Sequence, residues 1–143
     1  MGKPPIYDLK SLKKAFFSRF YDEKEGLFKD TPTSSHHSIH SNILPMLFDI
    51  EMTEKIKMRI IRMIREKKLL SVNYFAFFIL LALEKEGEFG LMRELILDEG
   101  SWSNMLKEGA TTCYEAWGKE QKWNTSLFHP WMSYPVIFYE KIK

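Results

Sequence analysis

The chain has 143 residues and a mass of 17.0 kDa, a length at which a globular domain buries roughly 70 % of its unfolded surface. Its net charge is only +2, and its lysines and arginines alternate with acids, which excludes the long basic runs typical of nucleic-acid binding. Cys113 is the single cysteine, and the sequence has neither an apolar signal region nor a run of roughly 18 apolar residues. We therefore expect a cytoplasmic protein without a nucleic-acid or membrane partner.

The first predicted elements are a helix and a turn. Apolar residues recur every three or four positions from Leu9 to Phe20, which predicts a helix over residues 8–21. The segment "DEKEGLFKDTP", residues 22–32, contains a glycine and a proline. These breakers predict a turn or a short hairpin.

Two further helices are predicted before the middle of the chain. Ser34 or Ser35 is expected to cap a helix that runs to about Ile50, with a kink at Pro45. Residues 53–67 carry isoleucines on one face, which is typical of an amphipathic helix.

The second half is also predicted to be helical. Residues 72–86 are apolar on nearly all sides, so we expect a central helix. We expect its connection to the next helix to end at Gly87 or Gly90. The segment "FGLMRELILDE" predicts another helix, and "SWSNMLKEG" a short one closed by Gly109. The last helix is "HPWMSYPVIFYEKIK", with Pro130 in its first turn. The chain is therefore predicted to be all-α, in successive antiparallel helical hairpins.

The aromatic segment 101–135 is the strongest candidate for a functional site. It contains the four tryptophans of the chain, together with Glu115 and His129. Indole rings stack on the apolar face of sugars, and in glycosidases one carboxylate activates water while another protonates the leaving oxygen. The residues alone leave two interpretations open, a carbohydrate site or a set of core tryptophans beside a solvated glutamate. The tryptophans in question are Trp102, Trp117 and Trp131.

Two other motifs give weaker indications. His36 and His40 have the i, i+4 spacing that brings two imidazoles to one metal on a helix, but no third ligand is evident. Cys113 lacks the local signature of a catalytic cysteine. We therefore expect no metal and no cofactor, a polar helix start at the histidines and an inert, packed thiol.

The segment "SWSNMLKEGATTCYEAWGKEQKWNTSLFHPW" resembles the C-terminal signature of the catalytic domain of bacterial and fungal α-L-rhamnosidases, inverting glycoside hydrolases with an (α/α)6 toroid. The helix pairs from about residue 30 also resemble those that precede this signature. Tyr114 stands where much of the family has a tryptophan, and the loop from Glu115 to His129 is shorter than in many members. The matching features are Trp102 with Met105, Gly109–Thr112, Tyr114–Trp117 and Asn124–His129.

This resemblance implies a site and a substrate. The family's general base, the carboxylate that deprotonates the attacking water, falls on Glu115, and the ligand is a rhamnose-containing glycoside. Trp117 and Trp131 would form walls of the rhamnose subsite. The substrate-binding residues that the resemblance implies are His129, Trp117, Trp131, Trp102 and Tyr74.

The resemblance also implies an incomplete site. In the family the general acid lies in the first half of the toroid, and this chain corresponds to about half of an (α/α)6 toroid. We expect residues 1–143 to be one domain, the C-terminal fragment of a larger glycosidase catalytic domain. It should be inactive alone and form a homodimer through the exposed half-toroid face. The alternative is a non-catalytic helical module that binds a carbohydrate or a protein.

Overall fold

A computed structural model describes residues 8–69 and 73–143. These residues are mostly helical, and the predicted all-α class is confirmed. Contacts divide the chain into two compact units, one up to Met63 and the other from Ile64. In neither described range is a helix both long and apolar enough to cross a membrane. The α-helices are α1 (Leu9–Phe20), α2 (Ile39–Leu47), α3 (Glu54–Lys67), α4 (Ala76–Lys85), α5 (Phe89–Leu97), α6 (Trp102–Lys107) and α7 (Tyr139–Ile142). The other elements are β1 (Tyr21–Asp22), β2 (Leu27–Phe28) and a 3₁₀ helix (Pro130–Phe138).

The first unit contains the predicted short hairpin, which the structure confirms. Tyr21 of β1 pairs with Phe28 of β2 in an antiparallel register. Gly26 closes the turn with a φ of +69°, a conformation that glycine adopts without steric cost.

Strand β2 is fixed to helix α2 by the side chain of Asn42. The amide oxygen of Asn42 accepts the N–H of Phe28 at 2.8 Å, and its amide nitrogen donates to the carbonyl of Phe28 at 3.0 Å. Both side chains are fully buried. Because buried backbone groups need partners, Asn42 allows so short a strand to enter the core.

Helix α2 begins later than the sequence predicts. Its N-cap is Ser38, whose hydroxyl oxygen accepts the N–H of Ser41 at 3.1 Å, so the predicted start at Ser34 or Ser35 is wrong. Asp30 accepts the backbone N–H of Ser38 at 2.9 Å and so ties the residues just before the helix to a loop.

In the second unit, α5 packs against α4, α6 and α7. Helix α4 begins at Ala76 rather than near residue 72, which lies outside the described residues. Gly87, with a φ of +76°, ends the α4–α5 connection, whereas Gly90 lies inside α5. The tightly packed centre of this unit includes Ile79 and Leu83 of α4, neither of which has exposed surface.

The C-terminal segment is not the single α-helix that the sequence predicts. Residues Pro130–Phe138 form a 3₁₀ helix, and only Tyr139–Ile142 is α-helical. Pro130 occupies the first turn, as predicted, but Pro135 lies in the interior. Because proline has no N–H and clashes with the preceding turn of an α-helix, the tighter 3₁₀ winding replaces it there.

Candidate functional site

Glu115 lies in an irregular segment that pairs with a later part of the same loop. Its backbone N–H donates to the carbonyl of Ser126 at 2.8 Å, and the N–H of His129 donates to the carbonyl of Cys113 at 2.8 Å. The Thr112 hydroxyl donates to the carbonyl of Leu127 at 2.6 Å. The loop between Glu115 and His129 therefore folds back, and brings the two residues together across paired backbone.

Asn73 fixes the other side of this segment. Its amide nitrogen donates to the backbone carbonyl of Glu115. Its own carbonyl accepts the Tyr134 hydroxyl at 2.9 Å. The backbone of Glu115 is thus bonded on both sides, through its N–H and through its C=O, to separate parts of the chain.

Two of the predicted sugar-binding tryptophans form the floor beneath this segment. Trp117 is only 2 % exposed, and its indole N–H donates to the carbonyl of Leu69 at 2.8 Å. Trp102 is also buried, with its N–H on the carbonyl of Met132 at 2.7 Å. The two indoles meet edge to face, with ring centroids 4.6 Å apart. In this arrangement Trp117 has almost no surface open to a ligand, and Trp102 has little.

The carboxylate of Glu115 points outward from this floor, with the side chain 32 % exposed. One oxygen, Oε1, lies 2.5 Å from the ammonium nitrogen of Lys122, and Oε2 accepts the N–H of Ser126 at 3.2 Å. The bond from Lys122 is the main cause that holds the pKa of Glu115 below its usual value, and the bond from Ser126 also lowers that pKa. The group is therefore ionised at neutral pH.

His129 adds a second basic group beside Glu115. Its ring is half-buried, and its charge is among the causes that lower the pKa of Glu115. Within residues 8–69 and 73–143, Lys122 and His129 are charged side chains that lower the pKa of this carboxylate. The structure brings together the two residues that the resemblance singles out, and adds a lysine that the sequence analysis missed. No local pattern could have indicated Lys122, since it contacts Glu115 only because the loop folds back.

Tyr74 and Trp131 form an exposed aromatic pair. Their rings stack with centroids 5.3 Å apart and planes 13° from parallel. Both side chains are exposed, and Tyr74 follows Asn73, the residue bonded to the Glu115 backbone. These two, unlike the buried tryptophans, offer aromatic surface to a ligand.

Trp123 is a further aromatic residue on the loop that carries Lys122. It is 95 % exposed. A fully exposed tryptophan is uncommon in a folded protein. The exposure of Trp123 makes it a candidate residue, and only the structure shows that exposure. Sequence alone could not distinguish it from the buried Trp117.

A cavity of about 350 Å³ is lined by Thr112 and Cys113, which precede Glu115 in the chain, but Glu115 does not line it. Its walls include the apolar residues Trp102, Met105 and Met132, together with Thr112 and Cys113. Burial raises the pKa of the Cys113 thiol. The thiol therefore stays protonated near neutral pH, which argues against a nucleophilic role.

The two histidines with metal-like spacing do not share a helix. His36 precedes α2 and its ring nitrogen Nδ1 lies 2.5 Å from Asp30, while His40 belongs to α2. This contact is the main cause that lowers the pKa of Asp30. Over the part of the chain that the structure describes, no cluster of three or more His, Cys, Asp or Glu side chains has an arrangement suited to a metal ion.

Comparison with known proteins identifies one family. A model described as the bacterial alpha-L-rhamnosidase 6 hairpin glycosidase domain matches residues 7–142. The match spans nearly the whole chain, including every residue of the site around Glu115. No curated protein and no solved structure matches.

Proposed function

Because the chain belongs to the bacterial α-L-rhamnosidase six-hairpin glycosidase domain family, we propose that it contributes the catalytic base to the hydrolysis of terminal α-L-rhamnosides with inversion. The observation that supports this proposal best is the state of Glu115. It is an ionised, partly exposed carboxylate whose backbone is bonded to two other segments. A general base needs these properties, since it must be charged, accessible to water and fixed in position.

In the proposed reaction, Glu115 takes a proton from a water molecule. The water oxygen then bonds to the anomeric carbon as the glycosidic C–O bond breaks, and a carboxylic acid protonates the leaving oxygen. Inverting enzymes hold the two carboxyl groups roughly 6.5 to 9.5 Å apart, which leaves room for the water.

We propose that the second carboxyl group, the acid, is not supplied by these 143 residues. The charged groups that act on Glu115 among the described residues are Lys122 and His129, and both are basic. We therefore expect the 143-residue chain alone to hydrolyse aryl α-L-rhamnosides very little. Efficient turnover by the pure chain would contradict this expectation.

We propose that the residues that touch the sugar are different from the buried residues that support the site. His129 lies beside Glu115 and would hydrogen-bond a hydroxyl group of rhamnose. The exposed pair of Tyr74 and Trp131 would stack on an apolar sugar face. Trp117 and Trp102, which are buried, would act on the substrate only by supporting the segment that carries Glu115.

The test is Glu115→Gln in the form of the protein that hydrolyses an aryl α-L-rhamnoside. Removal of a general base should lower kcat by roughly 10²–10⁴-fold, with little change in rhamnose binding measured by calorimetry. Glu99→Gln is the control, because Glu99 is an exposed carboxylate paired with Lys107, as Glu115 is with Lys122. If Glu115→Gln changes neither rate nor binding, the chain is better described as a non-catalytic binding module.

A further inference from the structure

Lys122 makes the only side-chain ion pair that the structure records for Glu115 among the described residues. Its Nζ lies 2.5 Å from Oε1, while Oε2 accepts the N–H of Ser126. Each carboxylate oxygen can accept two hydrogen bonds. Each oxygen of Glu115 therefore keeps one acceptor position, and the carboxylate can still receive a proton from water while Lys122 holds it.

The backbone of Lys122 is itself held in a turn. Its carbonyl accepts both the N–H of Thr125 at 3.0 Å and the hydroxyl of Thr125 at 2.7 Å. The next residue, Ser126, accepts the backbone N–H of Glu115 with its carbonyl and so joins the loop to Glu115. Because this turn fixes the backbone of Lys122, it holds the ammonium group of Lys122 close to the carboxylate of Glu115.

A simpler explanation is that Lys122 and Glu115 form an ordinary surface ion pair, and such pairs contribute little to stability. The pair of Lys107 and Glu99 has the same distance, 2.5 Å, but Glu99 is 84 % exposed. Glu115 differs because it is 32 % exposed and is bonded through its N–H, its C=O and both carboxylate oxygens. The ion pair with Lys122 therefore adds to the hydrogen bonds that already fix the backbone and the carboxylate of Glu115.

We propose that Lys122 is a positioning residue for Glu115, which holds Oε1 in place and favours the charged form of the carboxylate. This inference rests on the proposed role of Glu115 as the base. Its electrostatic part follows from charge, because an ammonium group attracts the carboxylate and not the neutral acid. Protonated His129 acts in the same direction, from the far end of the loop.

The test is an NMR titration of the Glu115 carboxyl carbon in the 143-residue chain, assigned with Glu115→Gln. Lys122→Met should move the titration midpoint of Glu115 to higher pH, and Lys122→Arg should restore it towards the wild-type value. Lys122→Gln, which keeps a hydrogen-bond donor without the charge, serves as a second variant if Lys122→Met does not fold. A midpoint that is the same in the wild type and in the uncharged variants would overturn the proposal.

Lys107→Met is the matched control. It should raise the midpoint of Glu99, whose pKa is lowered chiefly by its bond to Lys107, and leave Glu115 unchanged. If it moves Glu115 as much as Lys122→Met does, the effect comes from net charge and the proposal is wrong.

Catalysis provides a separate measurement. In the form that hydrolyses a rhamnoside, the base must be deprotonated, so Lys122→Met should shift the acid limb of the kcat/KM profile to higher pH. If the NMR midpoint shifts and the kinetic limb does not, Glu115 is not the base, and the proposed function fails while the contact with Lys122 stands. An unchanged NMR midpoint contradicts the positioning role itself, whatever Glu115→Gln does to the rate.

Discussion

The tryptophans around Glu115 divide into a buried group and an exposed group, and the division has energetic consequences. Trp117 is buried and donates its indole N–H to the carbonyl of Leu69, whereas Trp123 is almost wholly exposed. A buried carbonyl that loses its partner destabilises a protein, but an exposed ring makes few contacts to lose. The two residues therefore form a natural pair for comparison.

Trp117→Phe should lower the free energy of unfolding by about 1–3 kcal/mol, because the carbonyl of Leu69 is left without its donor. Trp123→Phe should change it by less than about 0.5 kcal/mol. Urea denaturation followed by circular dichroism measures both. Equal effects for the two variants would contradict the structural role assigned to Trp117.

Among the elements, the end of helix α6 determines where the segment that carries Glu115 begins. Helix α6 stops at Lys107, and Gly109 follows with a φ of +78°. In this left-handed conformation a side chain is strained, while glycine is not. Gly109 thus turns the chain out of α6 and towards Glu115. Gly90, inside α5, has no such role.

Gly109→Ala should destabilise the protein by about 1–2 kcal/mol, although an added Cβ meets no atom within 4 Å, because the penalty lies in the backbone. Gly90→Ala also meets no atom within 4 Å, but it lies in a helix and should stabilise by about 0.5–1 kcal/mol. Thermal unfolding of the two variants should give shifts of opposite sign. Shifts of the same sign would rule out this account of Gly109.

For the molecule as a whole, the first unit carries exposed apolar residues along α1. Leu9 and Leu12 of α1 are exposed, and no residue of α1 is buried. A groove of about 470 Å³ runs along this helix, and its walls also include Phe16 and Phe48. Apolar surface of this kind favours association.

That residues 1–143 form one domain stays a prediction.

The sequence leads us to expect a homodimer through the exposed half-toroid face, and we propose that the groove along α1 is part of that face. Sedimentation velocity over a range of concentrations should show self-association of the chain. Leu12→Lys should weaken it, whereas Met58→Lys, at another exposed apolar residue of the same unit that does not line the groove, should not. A monomer at all concentrations would refute the proposal.

Most elements were predictable because their signals are local. The spacing in α3, the apolar girth of α4 and the glycine after α6 lie within a few residues of the elements they specify. The two errors have different causes, a contact from outside the helix in one case and a proline inside the segment in the other. Asp30 binds the loop before α2 and delays that helix, and Pro135 favours a 3₁₀ winding over an α-helix near the C-terminus.

The candidate site divides in the same way. The family could be recognised from the stretch around Glu115 and His129, because a resemblance in sequence is a local property, and the family match covers that stretch. The roles of Glu115 and His129 in a site remain predictions. Lys122 could not be found. A lysine seven positions from a glutamate contacts it only if the intervening loop reverses, and that reversal depends on backbone pairing with Ser126 and His129.

The amino-acid order was enough to indicate the helical class, through its periodicity, and the glycosidase family, through its resemblance to that family, which the match over residues 7–142 bears out. The role of Glu115 as the base stays a proposal. It did not establish which aromatic rings support that carboxylate and which face the solvent. Trp117 and Trp123 are only a few positions apart, yet one is buried on the carbonyl of Leu69 and the other is exposed. Burial depends on what the rest of the chain packs against each ring, and that is determined only when the chain has folded.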